Sequence, residues 1–232
     1  MRGWRSLARA AGGTHPAGLA LSCIKAWRVV PSQHAGMEPR RILIVQGHPD
    51  PTSPHLGHAL ADAYAEGAVQ SGHALRRIEV AALDFPLLRS QHDWHHGALP
   101  PALVGAQADI LWAQHLVFFF PLWMGDMPAL LKGFIEQVAR PGFAFKPAAP
   151  GCMGEKALGG RSARVVVTMG MPALVYRWVF RAHSVKSLER NILGFVGIAP
   201  VHETLIGGVD TLGEVGVARW LARMRKAGKA AD

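Results

Sequence analysis

Cysteine is nearly absent: the 232 residues hold two, Cys23 and Cys152. A disulfide framework and a cysteine-built zinc site are thereby excluded in practice. Long apolar runs are missing as well. The patch AGLALSCI at 17–24 is too short to span a bilayer and lies far from the N-terminal arginines, which makes it a poor secretory signal. Two phosphate-binding signatures, G-x-x-x-x-G-K-S/T and G-x-G-x-x-G, do not occur, so neither a P-loop NTPase nor a Rossmann dinucleotide site is indicated. Basic residues form no stripe interleaved with aromatics, so nucleic acid is not an expected partner. Nothing here asks for membrane insertion, and a cytoplasmic location is the simplest expectation.

Acid is missing from one segment in particular. Residues 1–37 carry Arg2, Arg5, Arg9, Lys25 and Arg28 and neither Asp nor Glu, so they supply five of the formal net charge of +9. The rest holds 20 basic and 16 acidic residues, a mild surplus. Residues 1–37 read as a leader, expected to be disordered. They are either an Arg-rich targeting segment or a stretch upstream of the true start at Met37, the reading we favour. Residues 38–232 then form one domain.

What is present is half hydrophobic and 18% charged, enough for a real core. Strand and helix patterns alternate. RILIVQ (41–46) is a β-branched run of the kind buried on both faces. Leu56, Ala59, Leu60, Ala63 and Ala68 follow at helical spacing. ALRRIEV (74–80) reads as a second strand near an edge, and 84–100 as surface loop. A helix is predicted over about 101–113, the central strand at HLVFFF (115–120), and a helix from Met127 to Val138 with Pro128 in its first turn. After a Gly/Pro-rich excursion (141–160) come a strand at ARVVVTM (163–169), a helix over about 174–194, a short strand near 201–206 and a helix from about 213 to 227. The expected fold is α/β, a flavodoxin-like doubly wound parallel sheet of five strands with helices on both faces. Ligands of such sheets bind beyond the carboxyl ends of the strands.

Three loops lie at those ends. QGHPDPTSPHL (46–56) offers His48, Thr52 and Ser53 at a helix N-terminus, which favours a phosphate; Ser53 as a plain helix cap before Pro54 is the competing reading. PLWMG (121–125) is apolar where loops are usually polar. It suits either a flat cofactor ring or burial beneath a neighbouring loop or subunit. TMGMPALVY (168–176) places Thr168 and Gly170 to hydrogen-bond the polar edge of a heterocycle. Tyr176 and His183 share a face if that segment is helical, and a core tyrosine with a surface histidine explains them equally well. A phosphate seat, a ring seat and a polar clamp on one sheet edge point to a flavin nucleotide. HDWHH (92–96) raises metal-dependent hydrolysis through His92 and His96, but no third ligand is evident and no metal is expected.

The sequence resembles the flavodoxin-like NAD(P)H:quinone oxidoreductase family, which includes mammalian DT-diaphorase, bacterial modulator of drug activity B and the ancillary flavoproteins of potassium efflux systems. ILIVQGHPDPTS, FPLWMGDMPALLKGFIEQV followed by GFAF, VVTMG and NILGFVGI carry the resemblance over nearly all of 41–210. It implies that His48, Thr52 and Ser53 hold the flavin phosphate, that Pro121, Leu122, Trp123 and Met124 line the ring, and that Thr168 and Gly170 contact its polar edge. Tyr176 and His183 would assist hydride transfer. FAD, with FMN as the alternative, would take hydride from NAD(P)H and pass it to a quinone-like acceptor in ping-pong order, in a homodimer. A flavin-loaded regulatory subunit of a potassium efflux transporter is the other function the resemblance allows. The chain departs from many relatives at Pro54–His55, at Met124–Gly125 and in reading T-M-G at 168–170.

Overall fold

The computed structural model describes residues 38–146 and 154–232. The expectation for residues 1–37 lies outside them. Five parallel strands form the sheet: β1 (Arg41–Gln46), β2 (Ala74–Glu79), β3 (His115–Pro121), β6 (Ser162–Thr168) and β7 (Val201–Ile206), in the spatial order β2-β1-β3-β6-β7. The expected doubly wound fold is therefore present, with HLVFFF at its centre and ALRRIE at one edge. Two further strands of two residues each, β4 (Phe145–Lys146) and β5 (Glu155–Lys156), pair antiparallel within the 141–160 excursion.

Alternate residues of the inner strands feed two cores. Ile42, Ile44, Val117, Phe119 and Val166 face α1 (Leu56–Gln70) and α8 (Gly213–Ala230). Leu43, Val45, Leu116, Phe118, Phe120, Val165 and Val167 face the other layer, which includes α3 (Pro101–Trp112) and α4 (Ala129–Val138). Each fully buried Val, Leu, Ile or Phe contributes about 1.5–3 kcal/mol relative to exposure. Strands apolar on both sides therefore hold the sheet between helices, as a parallel sheet requires. Among the described residues no helix is long and apolar enough to cross a membrane.

Four local expectations are corrected. The stretch 84–100 is not all loop: α2 (Gln91–His96) starts at Ser90, whose hydroxyl accepts from Asp93 N–H at 3.0 Å, and Arg140 ties its end down through Gly97 O at 2.6 Å. The helix expected from Met127 starts at Ala129, with Pro128 as its N-cap residue and not in its first turn. The last helix runs on to Ala230. The single helix expected over 174–194 is broken into α5 (Ala173–Trp178), α6 (His183–Ser187), a π-helical stretch Leu188–Leu193 and α7 (Gly194–Val196). Its break falls at Arg181 and Ala182, both left-handed with φ of 53° and 48°. That reversal brings the fully buried Tyr176 hydroxyl to within 2.6 Å of Ser184 Oγ.

Helices α1 and α8 cross so closely that only glycine fits. A Cβ at Gly228 would lie 2.0 Å from Tyr64 O, and one at Gly67 would lie 2.1 Å from Arg225 O. Both obstructing atoms are backbone, so a helix must shift to relieve them. Gly228→Ala is expected to destabilise the protein by about 1–3 kcal/mol, lowering the melting temperature by roughly 3–10 °C in calorimetry.

His115 opens β3 and is 1% exposed. Burial first, then the charges of Arg40 and Arg164, push its imidazole from the ordinary 6.5 down to about 3. The folded chain keeps the ring neutral where the unfolded chain protonates it, so stability is full above 6.5 and is lost as pH falls from there toward 3. Urea denaturation at stepped pH should show that decline, and His115→Gln, which cannot titrate, should flatten it.

Candidate functional site

The loop after β1 is anchored before it reaches the sheet edge. Gly47 N–H donates to Phe119 O at 2.7 Å, and a Cβ at Gly47 would lie 2.6 Å from Leu131 Cδ2, so this backbone sits hard against α4. Gln46, buried at the end of β1, donates to Gly57 O at 3.2 Å and accepts from His48 N–H at 3.1 Å. One amide side chain thus fixes both the loop and the start of α1.

His48 follows, 6% exposed. Its Nδ1 stands 3.1 Å from Asp50 N and 3.2 Å from Asp50 O, so the Asp50 backbone offers a partner to either tautomer. Burial, then the neighbouring His55 and His58, lower its pKa, so it is neutral at pH 7. The His48 and His55 rings stack at 3.8 Å, His58 stands 5.3 Å from His48, and Trp123 meets His48 edge-on at 5.9 Å. At the start of α1, His55 O takes the N–H groups of His58 and Ala59. The N–H groups of Leu56 and Gly57 have no intrahelical acceptor, as expected for a first turn. Gly57 is buried, yet nothing lies within 4 Å of where its Cβ would stand. That opening gives a small anion backbone donors at a helix N-terminus.

Thr52 and Ser53 are placed differently from the expectation. Both are exposed, and neither lines the cleft. Thr52 is engaged with Asp50, whose carboxylate accepts from Thr52 N–H at 2.8 Å, Thr52 Oγ1 at 2.6 Å and His55 Nε2 at 2.9 Å. Those donors, the Thr52 hydroxyl foremost, hold Asp50 far below the usual carboxylate range.

The loop after β3 is a tight turn. Trp123 and Asp126 exchange backbone hydrogen bonds at 2.9 Å each, across Met124 and Gly125 with φ of 49° and 82°. Two successive left-handed residues mark a type I′ geometry, which usually carries Asn or Gly at both places. Here the first is methionine, its side chain wholly exposed and away from the cleft wall. Leu122 N–H donates to Thr168 O at 2.8 Å, tying this loop to the end of β6.

A fourth loop, after β7, was not read from the sequence as part of the site. Gly208 and Val209 N–H groups bond Met171 O and Met169 O at 3.0 and 3.2 Å. A Cβ at Gly207 would lie 2.1 Å from Ala173 N. Close approach at Gly207 brings Val209 and Asp210 to the cleft, with Asp210 Oδ2 3.4 Å from where a Cβ on Gly170 would stand. The glycine pair in IGGVD, at a strand end on the same edge, was the available signal.

These loops enclose a cleft of about 320 Å³, at the lower end of small-molecule sites. Of the expected residues His48, Pro121, Leu122, Trp123, Thr168 and Gly170 line it, together with His55, Leu56, Gly57, Met169, Val209 and Asp210. Tyr176 and His183 do not. Tyr176 is 1% exposed with its hydroxyl committed to Ser184, and His183 is exposed beyond the Arg181–Ala182 reversal. A second cleft, about 560 Å³ and flanked by Trp94, Ile135, Phe145 and Phe195, shares no lining residue with the first. The His92 and His96 rings lie 5.1 Å apart on α2, and no group of three His, Cys, Asp or Glu suited to a metal occurs among the described residues.

A family profile described as the flavodoxin-like fold matches residues 40–227. The chain belongs to this family. The resemblance read from the motifs is borne out by named relatives. A ribosyldihydronicotinamide dehydrogenase-like protein of Penicillium crustosum is 29% identical over 56% of this chain and 57% of its own length. NAD(P)H dehydrogenase (quinone) 1 of Rattus norvegicus is 30% identical over 47% and 46%, and an FMN-dependent NADH:quinone oxidoreductase of Brevibacillus brevis 29% over 52% and 56%. The chain thus spans about half the length of the curated relatives it matches. Among solved structures, an NAD(P)H:quinone oxidoreductase from Methanothermobacter marburgensis has a TM-score of 0.70 at 24% identity, covering 84% of this chain and all of that one, a likeness of fold.

Proposed function

We propose that this chain is a flavin-dependent NAD(P)H oxidoreductase that reduces quinone-like acceptors by two electrons. The observation that carries the reading is the cleft itself: a buried neutral histidine at a helix N-terminus, an apolar wall and a polar wall meet on the sheet edge where doubly wound folds bind nucleotides. The names of the rat and Brevibacillus relatives support the same chemistry. FAD is the cofactor implied by the motif resemblance, and FMN is the one named for the Brevibacillus relative. Extraction and chromatography of the bound flavin distinguishes them.

Within this reading the His48 ring and the N–H groups of Leu56 and Gly57 hold the phosphate. Pro121, Leu122 and Trp123 seat the ring, and Thr168 and Gly170 meet its polar edge. A bound flavin supplies the hydride chemistry. The protein supplies fixed donors, each worth on the order of 3 kcal/mol where charge develops. The nicotinamide and the acceptor use the one exposed face of the flavin in turn, so the first leaves before the second enters and the kinetics are ping-pong. Leu174, Trp178, Val179 and Phe180 are exposed apolar side chains on and just after α5; together with Trp123 they suit a homodimer interface. We place the enzyme in the cytoplasm.

Purified protein, reconstituted if necessary with FMN or FAD, should be yellow and should bleach on adding NADH or NADPH. A protein that takes up neither flavin overturns the proposal. Trp123 holds its turn through backbone atoms while its side chain is half-exposed, so Trp123→Ala should leave the melting temperature nearly unchanged. Loss of a buried aromatic contact should weaken flavin binding by about tenfold or more, measured by fluorescence quenching.

A further inference from the structure

Among the described residues that line the candidate cleft there is no lysine and no arginine. Only His48, His55 and Asp210 can carry charge there, and Asp210 brings the wrong sign for a phosphate. The loops after β3 and β6 add no titratable side chain. A helix N-terminus offers about half an elementary charge, whereas a phosphate ester brings roughly −1.5 to −2. Of the side chains lining the cleft, only an imidazole can make up the difference.

Surroundings decide which imidazole. The His48 and His55 rings stack at 3.8 Å, and two positive rings so close repel strongly, so at most one is charged. His58 of α1 stands 5.3 Å from His48 and 5.8 Å from His55. His48 is 6% exposed, and burial, then its two histidine neighbours, keep it neutral. His55 is more open, with 35% of its side-chain surface exposed, and its Nε2 lies 2.9 Å from Asp50 Oδ2.

The Thr52 hydroxyl, then His55 itself, hold Asp50 far below the usual carboxylate range. An ionised carboxylate only accepts, so the hydrogen of a neutral His55 sits on Nε2. Nδ1 is then the bare nitrogen. A second proton turns it into a donor and leaves a positive ring next in sequence to the free N–H groups of Leu56 and Gly57.

We propose that, given the flavin reading of this cleft, His55 is the cation of the phosphate seat: Asp50 orients it, and it takes up a proton from solvent when the flavin binds. The charged ring then faces two anions, Asp50 and the phosphate, while His48 stays neutral.

Flavin binding to the apo full chain, followed by fluorescence quenching from about pH 6.5 to about pH 9, tests this with FMN and FAD as separate probes. Uptake of one proton raises the dissociation constant by up to about tenfold per pH unit, and a rise of about tenfold or more across the range is expected. The second ionisation of a phosphate monoester, at about 6, acts in the opposite direction and cannot imitate it. Calorimetry in two buffers of unlike ionisation heat should count the proton directly. His55→Asn puts a favoured capping residue where the native side chain makes no cap hydrogen bond. That variant should bind as the wild type does at high pH and lose both the slope and the proton uptake, and His55→Gln should do the same. Asp50→Asn removes the charge facing Nε2, so the uptake should move to lower pH, which a merely structural role would not produce. A flat wild-type profile, or a slope and uptake that persist in both His55 variants, overturns the proposal and leaves the flavin reading standing. Binding of neither flavin at any pH overturns both.

Discussion

A parallel strand buried on both faces has nowhere to put a polar side chain except at its ends. That constraint organises this molecule. β3 runs from His115 through five apolar residues to Pro121, and every one of those five is at most 5% exposed. Unpaired polar groups along such a strand would each cost more than a core residue contributes. The chemistry of the chain is thereby driven to two rims. The carboxyl rim holds the loops around the candidate cleft. The amino rim holds Arg40, His115, Ser162 and Arg164, paired among themselves, with Thr204 of β7 and with Ala231 and Asp232 just after α8.

The carboxyl rim is rigid because backbone, more than side chain, builds it. Gly47 is pressed on α4, Gly207 on the start of α5, and the turns after β3 and β7 are each hydrogen-bonded to the end or continuation of β6. At Gly207 the obstructing atoms are backbone, so only glycine admits the approach, whereas at Gly47 they belong to the Leu131 side chain. Side chains lining the cleft therefore hang on a frame that does not depend on them. Trp123 and Thr168 can change identity while the distance between their loops stays set by Leu122 N–H and Thr168 O.

The parts legible in the sequence are those where periodicity and burial coincide. All five sheet strands could be read, since an apolar run such as RILIVQ between turn residues has few alternatives to a buried strand. The first cleft loop could be read only to His48. Thr52 and Ser53 looked like phosphate donors by type and position, but a local carboxylate competes for such donors, and Asp50 is two residues from Thr52. The helix over 174–194 misled for a different reason. Its break uses Arg181 and Ala182 in the left-handed region, and nothing in their chemistry announces a reversal as Gly or Asn would. With the reversal unseen, Tyr176 and His183 looked like one face, whereas the chain turns between them. The amino-rim cluster is beyond reach for a third reason: its members come from the starts of different strands, and only register brings them together.

Strain and site coincide in a way that the two cores explain. Among the described residues four that are not glycine have positive φ: Met124, Arg181, Ala182 and Ala231. Three of them follow β3 or β6, the strands that contribute most of the cleft. A left-handed non-glycine residue costs about 1–2 kcal/mol, so these three together cost several, a large fraction of the net stability of an ordinary domain. Such conformers persist only where the surroundings over-determine them. Here Trp123 and Asp126 clamp Met124 from both sides, and the buried Tyr176 hydroxyl with Ser184 clamps Arg181 and Ala182. The burial that closes both faces of the sheet supplies the stability that the rim loops spend on holding their shape.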